Sequence, residues 1–420
     1  MSKNFRDRRP YVRPVTKLEV DQSNVTLRWI LVCGFIVIAI VAFGIGIYSS
    51  LDTELGWQSI EANSGKPNIS SQFILMYDFS EAGSEANQLN KQISVQYSKL
   101  CEDAYAIFSP DVSEADLKNV HYVNESVNRE ISVHPSLYDA FELLERYGNR
   151  SIFLAPVYVE YDRLFRSESD PEARDNDPQY SPDVRAYIDE MIGYISDENM
   201  ICLELLDDNR VILHVDEAYL NYAQENGIEK FIDFGWLHNA FAADYIAQAL
   251  VDSGFTDGYL ASYDGFTRNL DEETQLFRLN LFDLQGTDIY MPAVMEYSGG
   301  TAMVSLRNYP LDDLDQWRTY TYADGSTVTN MIDPADGNSK SALNNLVCYS
   351  REYGCAELLL KMIPAYLKDS FHAEELDFLK GAGIYSVWFE DGTLYYNENT
   401  LNLEMLPDTD GKFYQKVFRE

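Results

Sequence analysis

Asp233, Gly235, His238 and Asn239 fall within one short stretch of a 420-residue chain, FIDFGWLHNAFAADYIAQALVDSGFTDGYLASYD, residues 231–264. Phe231, Ile232 and Phe234 form an apolar run that stops at Gly235. From Phe241 the apolar positions 241, 242, 245, 246, 249 and 250 trace one face of a helix. Gly254 stands where a helix ends on a residue free to take positive φ, and Leu260 and Tyr263 belong to a following strand. The pattern predicts strand, turn, helix and strand. Backbone N–H groups at such a helix start can hold an anion. A purely structural βαβ-like unit accounts for the same pattern without a ligand.

Other chemistry is sparse. The chain has no phosphate-binding glycine loop, nucleophile elbow, zinc-protease helix motif or dinucleotide fingerprint. Its five histidines (121, 134, 214, 238, 372) are scattered, and His238 stands out only for its place in the turn. Asp333-Pro-Ala-Asp336-Gly337-Asn338 has the acidity of a calcium loop but lacks the alternating register and closing Glu, so a turn is expected. The 30 tyrosines could stack on sugars or fill sheet faces. Paired carboxylates for glycosidic chemistry cannot be singled out among 68 acids.

The elements around these residues alternate without repeating. A strand is expected over 72–79, and a helix from Leu89 with apolar residues at 93, 97, 100, 104 and 108. Helices are expected at 135–147, opened by Pro135, at 182–196, opened by Pro182, and at 217–226 before Gly227. The charged run 167–178 reads as a loop. Hairpins are expected over 200–215, 318–332 and 384–396 around their Asp/Asn/Gly turns. Strands are expected near 275–285, 289–296, 301–306 and 343–349, and a helix at 355–363. Interleaved helices with frequent hairpins predict an α+β fold, a mixed or antiparallel sheet with packed helices.

Charge and hydropathy divide the chain. Residues 29–48 run twenty positions without a charge, long enough to cross the ~30 Å bilayer core as one transmembrane helix. Residues 1–28 carry the seven basic side chains of the first 48 residues, which net +4 and leave −40 on the rest. The positive-inside rule then predicts a cytoplasmic N-terminus, an anchor in the cell membrane, a polar linker at 49–70 and an extracytoplasmic domain at 71–420. So acidic a body excludes nucleic acid as a partner. Five cysteines without a CxxC pair predict buried thiols rather than a disulfide framework.

From about residue 72 to 370 the order of segments resembles the FAD:protein FMN transferase family, the ApbE-type flavin transferases. IFSPDVSEADL (107–117) is similar to an early segment of that family, and SIFLAPV (151–157) to its GaFDPtv stretch, with Phe153 kept. FIDFGWLHNAFAAD keeps Asp233, Gly235 and Asp244 of DLGgiaKGyavD, with Asn239 in place of the Lys. Tyr263-Asp264 replaces a Gly-Gly pair. NMIDPADG (330–337) resembles HiiDPrTG around Met331, Asp333, Pro334 and Gly337. In VCYSREYGCAELLLKMI (347–363), Glu357 and Lys361 stand for the Asp and Thr that help bind Mg²⁺.

The resemblance implies an ApbE-like fold with FAD as the ligand and Phe153, Asp233, Gly235, Asn239, Met331 and Asp333 near it. It implies no metal ligands, because Lys361 cannot ligate Mg²⁺. The expected function is therefore a membrane-anchored, extracytoplasmic module that binds a flavin, another ligand, a flavoprotein or another surface protein without the Mg²⁺-dependent transfer. The alternative is an active transferase with a metal site rearranged onto Glu357 or Asp336. A carbohydrate-binding or scaffold protein is a third expectation. The segment YSGGT (297–301) falls short of a flavin-acceptor motif, with Met295 where an Asp belongs.

Overall fold

The computed structural model describes residues 55–113, 117–270, 275–407 and 414–420, and Glu54–Glu420 forms one compact unit. The apolar run 29–48 lies outside the described residues. Among those described, no helix is long and apolar enough to cross a membrane.

The centre of the fold is a nine-stranded sheet whose spatial order follows the chain. Its strands are β1 (Trp57–Ile60), β2 (Phe73–Asp78), β3 (Gly258–Ser262), β4 (Phe266–Asn269), β5 (Ala302–Arg307), β6 (Asn345–Ser350), β7 (Tyr385–Glu390), β8 (Thr393–Tyr396) and β9 (Gln415–Phe418). Every neighbouring pair is antiparallel except β8 and β9. β1 lies within the segment read as a linker, and pairs with β2 from Trp57↔Asp78 to Ile60↔Leu75.

The period of two along a strand sorts side chains to two cores. Ala302, Val304 and Leu306 of β5, with Leu346 and Cys348 of β6, join the larger core. Met303, Val347 and Tyr349 face the other way, into a smaller core with Phe277, Leu281, Met295 and Leu403. The hairpin Leu276–Gln285 with Asp288–Ser298, and strand Asn402–Met405 beside it, supply those last four. Each such aliphatic residue contributes roughly 1.5–3 kcal/mol on burial.

The larger core is closed by helices α1 (Ala86–Phe108), α2 (Pro135–Arg146), α3 (Ala155–Phe165), α4 (Pro182–Ser196), α5 (His238–Asp252) and α6 (Cys355–Tyr366). α1 buries Ile93, Tyr97, Leu100, Ala104 and Phe108, the stripe expected from spacing. α2 starts on Pro135, with His134 Nδ1 accepting from Ser136 N. α5 packs against α1 and α6, and its buried residues are mostly small, Ala240, Ala243 and Ala247 among them. Asp244 turns from α5 toward α6, where its carboxylate accepts from the N–H groups of Cys355 (2.8 Å) and Ala356 (2.9 Å). This retained acid is therefore a cap for a neighbouring helix.

Two local expectations are corrected. Residues 231–234 are not a strand. Asn124 takes up their backbone instead: its Oδ1 accepts from Phe231 N and Ile232 N, and its Nδ2 donates to Ile232 O. Asp233 N donates to Ile152 O, so no ladder remains to be made. A 3-10 turn, Gly235–Leu237, leads into α5. The charged run 167–178 contains a helix, Asp170–Asn176, with Pro171 in its first turn and Asp170 and Glu172 at its positive end. Cys101, Cys348 and Cys355 are buried free thiols, as expected, while Cys202 is partly exposed and also unbridged.

Candidate ligand cleft

The turn at 233–239 forms one wall of a cleft of about 280 Å³. That is near the lower end of the usual ~300–1,000 Å³ for small-molecule sites. Tyr105 and Asp111 reach it from the end of α1 and the loop after it. Tyr158, Tyr161, Asp162 and Phe165 come from successive turns of α3. Trp317, Arg318 and Asn330 come from the small hairpin region, and Gln72 and Asp264 from strand ends. The walls are thus rings and carboxylates.

Gly235 makes the wall possible. Its φ is +52°, and a Cβ there would lie 2.2 Å from the Tyr158 ring. Only glycine accepts both the left-handed backbone and the contact. Tyr158 is held in turn by its hydroxyl, which donates to Ser151 O at 2.9 Å. Asp233 Oδ1 accepts from Gly235 N (2.8 Å), which orients the acid across the turn.

The floor is a polar chain. Asn239 Nδ2 donates to Gln72 Oε1 and to Asp264 Oδ2, both at 2.9 Å. Arg318 Nη1 lies 3.4 Å from Asp264 Oδ2, with both side chains nearly buried. Burial lowers the Arg318 pKa, which Asp264 partly offsets. Arg307 meets Asp315 (2.9 Å) alongside, also buried. His238 Nδ1 lies 3.2 Å from Asn239 Oδ1, and burial lowers its pKa, which favours the neutral ring. Burial raises the pKa of Asp162 and of Asp233. The Asp233 charge adds to the rise at Asp162, and Asp111 acts on both.

Behind the floor is a void of about 20 Å³, enough for one water molecule. Trp236, Asp264 and Arg318 line both the void and the cleft. Trp236 Nε1, Asp264 Oδ1, Arg307 Nε, Arg318 Nε and the Tyr309 hydroxyl are buried around it without a protein partner. Such atoms cost free energy unless something supplies the missing bond.

The expected site residues do not all gather here. Asp233, Gly235 and Asn239 line the cleft, and Met331 lines the void. Phe153 does neither: it lines a separate pocket of about 230 Å³ with Arg150, whose guanidinium lies 4.8 Å from the ring centroid. Asp333 is committed elsewhere. Its carboxylate meets Lys340 Nζ at 2.8 Å and accepts from Ala335 N, and Asp336 meets the same ammonium at 2.6 Å. Asp336 is thus not free for the rearranged metal site. Tyr263 does not line the cleft; Asp264 does.

Sequence reasoning missed the aromatic face of α3. Its signal was present, as Tyr158, Tyr161 and Phe165 recur at helical spacing. Trp317 and Arg318 carry no comparable signal.

The residues standing for a metal site do not fit one. The Tyr147 hydroxyl donates to Glu357 Oε1 at 2.6 Å. Lys361 Nζ lies 4.5 Å from the Tyr353 ring centroid and 5.0 Å from that of Tyr147. Burial opposes its charge, but the Tyr147 hydroxyl and the neighbouring Tyr353 and Glu357 outweigh that and raise its pKa. An ammonium beside the one carboxylate repels a divalent cation. Among the described residues no cluster of His, Cys, Asp or Glu is arranged to hold a metal.

Comparison with known proteins decides the fold. The structure superposes on the ApbE protein of Thermotoga maritima with a TM-score of 0.52, over 79% of this chain and 93% of that one. The chain has the ApbE fold. Sequence identity over the match is 13%, so the likeness is one of architecture. A point mutant of the flavin transferase ApbE from Vibrio cholerae aligns over 84% of this chain and 97% of its own, with TM-score 0.49 and 11% identity. No protein-family model and no curated protein matches the sequence.

Proposed function

We infer that the protein is a ligand-binding module built on the ApbE fold, taking the planar ring of a flavin or a similar heterocycle into the cleft without Mg²⁺-dependent FMN transfer. One observation carries the loss of transfer: Lys361 and the Tyr147-bound Glu357 stand where the resemblance puts metal ligands. Phosphoryl transfer relies on the metal to neutralise charge and position the phosphates. A fixed ammonium facing two tyrosine rings gives no coordination positions for it.

Ring binding is supported by the cleft walls. Tyr105, Phe165 and Trp317, the lining rings that are not buried, offer stacking faces. Behind them, Asp264 Oδ1 and Trp236 Nε1 face the void, which has room for one water to bond them.

The apolar run 29–48 and the basic segment before it support a membrane anchor with residues 49–420 on the extracytoplasmic side. A flavoprotein or another surface protein is then the partner class within reach. Flavin fluorescence tests the binding claim. The full chain in mild detergent should quench riboflavin on titration, and Trp317→Ala should weaken the effect. Unquenched riboflavin at millimolar protein sites would remove the claim.

A further inference from the structure

His238 lines the cleft, and its neighbours fix which ring nitrogen carries the proton. Asn239 Nδ2 lies 2.9 Å from Asp264 Oδ2, a carboxylate oxygen beside Arg318 that accepts and cannot donate. That end of the amide is therefore the donor. The other end, Oδ1, accepts from His238 Nδ1 at 3.2 Å. The proton of the neutral ring thus sits on Nδ1, and Nε2 is left a bare acceptor. The Phe108 ring stands at 89° to the imidazole, centroids 6.1 Å apart. Nε2 lies on the far side of the ring from Asn239. Among the described residues nothing bonds it, and it is not one of the sealed polar atoms. His238 is half-buried, so the solvent that reaches Nε2 is that of the cleft.

Resting on the ring-binding function above, we propose that His238 Nε2 accepts a hydrogen bond from a ring N–H of the ligand, so that the cleft takes planar heterocycles with an imide or lactam N–H on their edge. Tyr105, Phe165 and Trp317 offer such a ring its faces, and Nε2 gives its edge a direction. The neutral ring is favoured: burial lowers the His238 pKa, and the bond to Asn239 and the Asp264 charge only partly offset that. Asp233 from the same turn, Tyr105 from α1, Asp111 from the loop after it, Asp162 from α3 and Arg318 share the cleft with it. The Tyr158 and Tyr161 hydroxyls, pushed up by burial, stay neutral. Asp162 and Asp233 are raised as well, so an acid titration of the cleft is assigned to His238 only by comparison with a variant that lacks the imidazole.

Riboflavin carries one such N–H, at N3, and 3-methylriboflavin has a methyl group in its place. The experiment titrates the full chain in mild detergent with each, read by flavin fluorescence. Riboflavin should bind roughly tenfold more tightly at about pH 8, the scale of one hydrogen bond. His238→Ala should weaken riboflavin and close the gap. His238→Gln, whose amide oxygen still accepts, should keep part of it, and circular dichroism checks that both variants fold. Protonation turns Nε2 into a donor, so wild-type affinity for riboflavin should fall in acid, as pH drops through the lowered His238 value, by more than that of His238→Gln. Equal binding of the two flavins overturns the assignment and leaves the ring-binding function standing. So does a methyl penalty that survives in His238→Ala, or wild-type binding that strengthens in acid relative to His238→Gln. Binding by neither flavin removes the ring-binding function, and this inference with it.

Discussion

Asn239 donates its amide to Asp264 Oδ2 across 2.9 Å, joining the first turn of α5 to the end of β3 beneath the cleft. Asn239 is 4% exposed, so the bond is made away from water. Asn239→Ala should leave Gln72 Oε1 without that donor and Asp264 with Arg318 alone. The expected loss is about 1–3 kcal/mol of stability, the cost of buried polar groups losing their partner. Urea denaturation of the two proteins measures it. Asn239→Asp should cost more, because it sets a second carboxylate against Asp264.

Gly235→Ala should be worse than a loop substitution normally is. The left-handed backbone costs a non-glycine residue roughly 1–2 kcal/mol, and the new methyl meets the Tyr158 ring. Tyr158 must then leave its bond to Ser151 O. A thermal melt should show the loss. Riboflavin quenching should fall with it, since the same ring forms the cleft wall.

Of the elements that hold these residues, most could be read from sequence. Pro135 and Pro182 start their helices, and Gly227 ends another at φ +68°. Period-two strands and their Asp/Gly turns also carried through, because local rules dominate there. Where the backbone bonds to a distant side chain, local rules failed: Asn124 removes the strand expected at 231–234 from over a hundred residues away. The cleft itself was half legible. Asp233, Gly235 and Asn239 share a motif, whereas Trp317 and Arg318 arrive by tertiary packing alone. Phe153 and Asp333 fit the motifs of the resemblance, yet serve local contacts with Arg150 and Lys340.

The Lys340 clamp sets a pH window. The Lys340 pKa is raised: burial opposes the charge, and bonds to Asp333 and Asp336 outweigh it. The Asp336 pKa is lowered: burial opposes that, and Lys340 and the Asn338 N–H outweigh it. The Asp336 contribution is thus full above the ordinary aspartate range and is lost as pH falls through its lowered value. The Lys340 contribution is full below the ordinary lysine range and is lost as pH rises through its raised value. Urea midpoints of wild type and Asp336→Asn should differ by a constant amount between about pH 5 and 9 and converge in acid. A gap that widens in acid would contradict the assignment.

Mg²⁺ should not stabilise the folded protein. A site with Mg²⁺ at ~100 times its Kd would add ~2.7 kcal/mol, a shift visible in any thermal melt. Melts with millimolar Mg²⁺ and with EDTA should instead superpose. Lys361→Met removes the ammonium and its ring contacts, and should lower the melting temperature equally in both buffers.

Transfer itself gives the most direct measurement. The full chain in mild detergent is incubated with FAD, Mg²⁺ and an acceptor flavoprotein, and the acceptor is weighed by mass spectrometry. A module with the ApbE fold but without Mg²⁺-dependent transfer, as proposed, leaves the acceptor at its unmodified mass, with or without EDTA. An acceptor heavier by one FMN, formed with Mg²⁺ and absent with EDTA, would contradict that account.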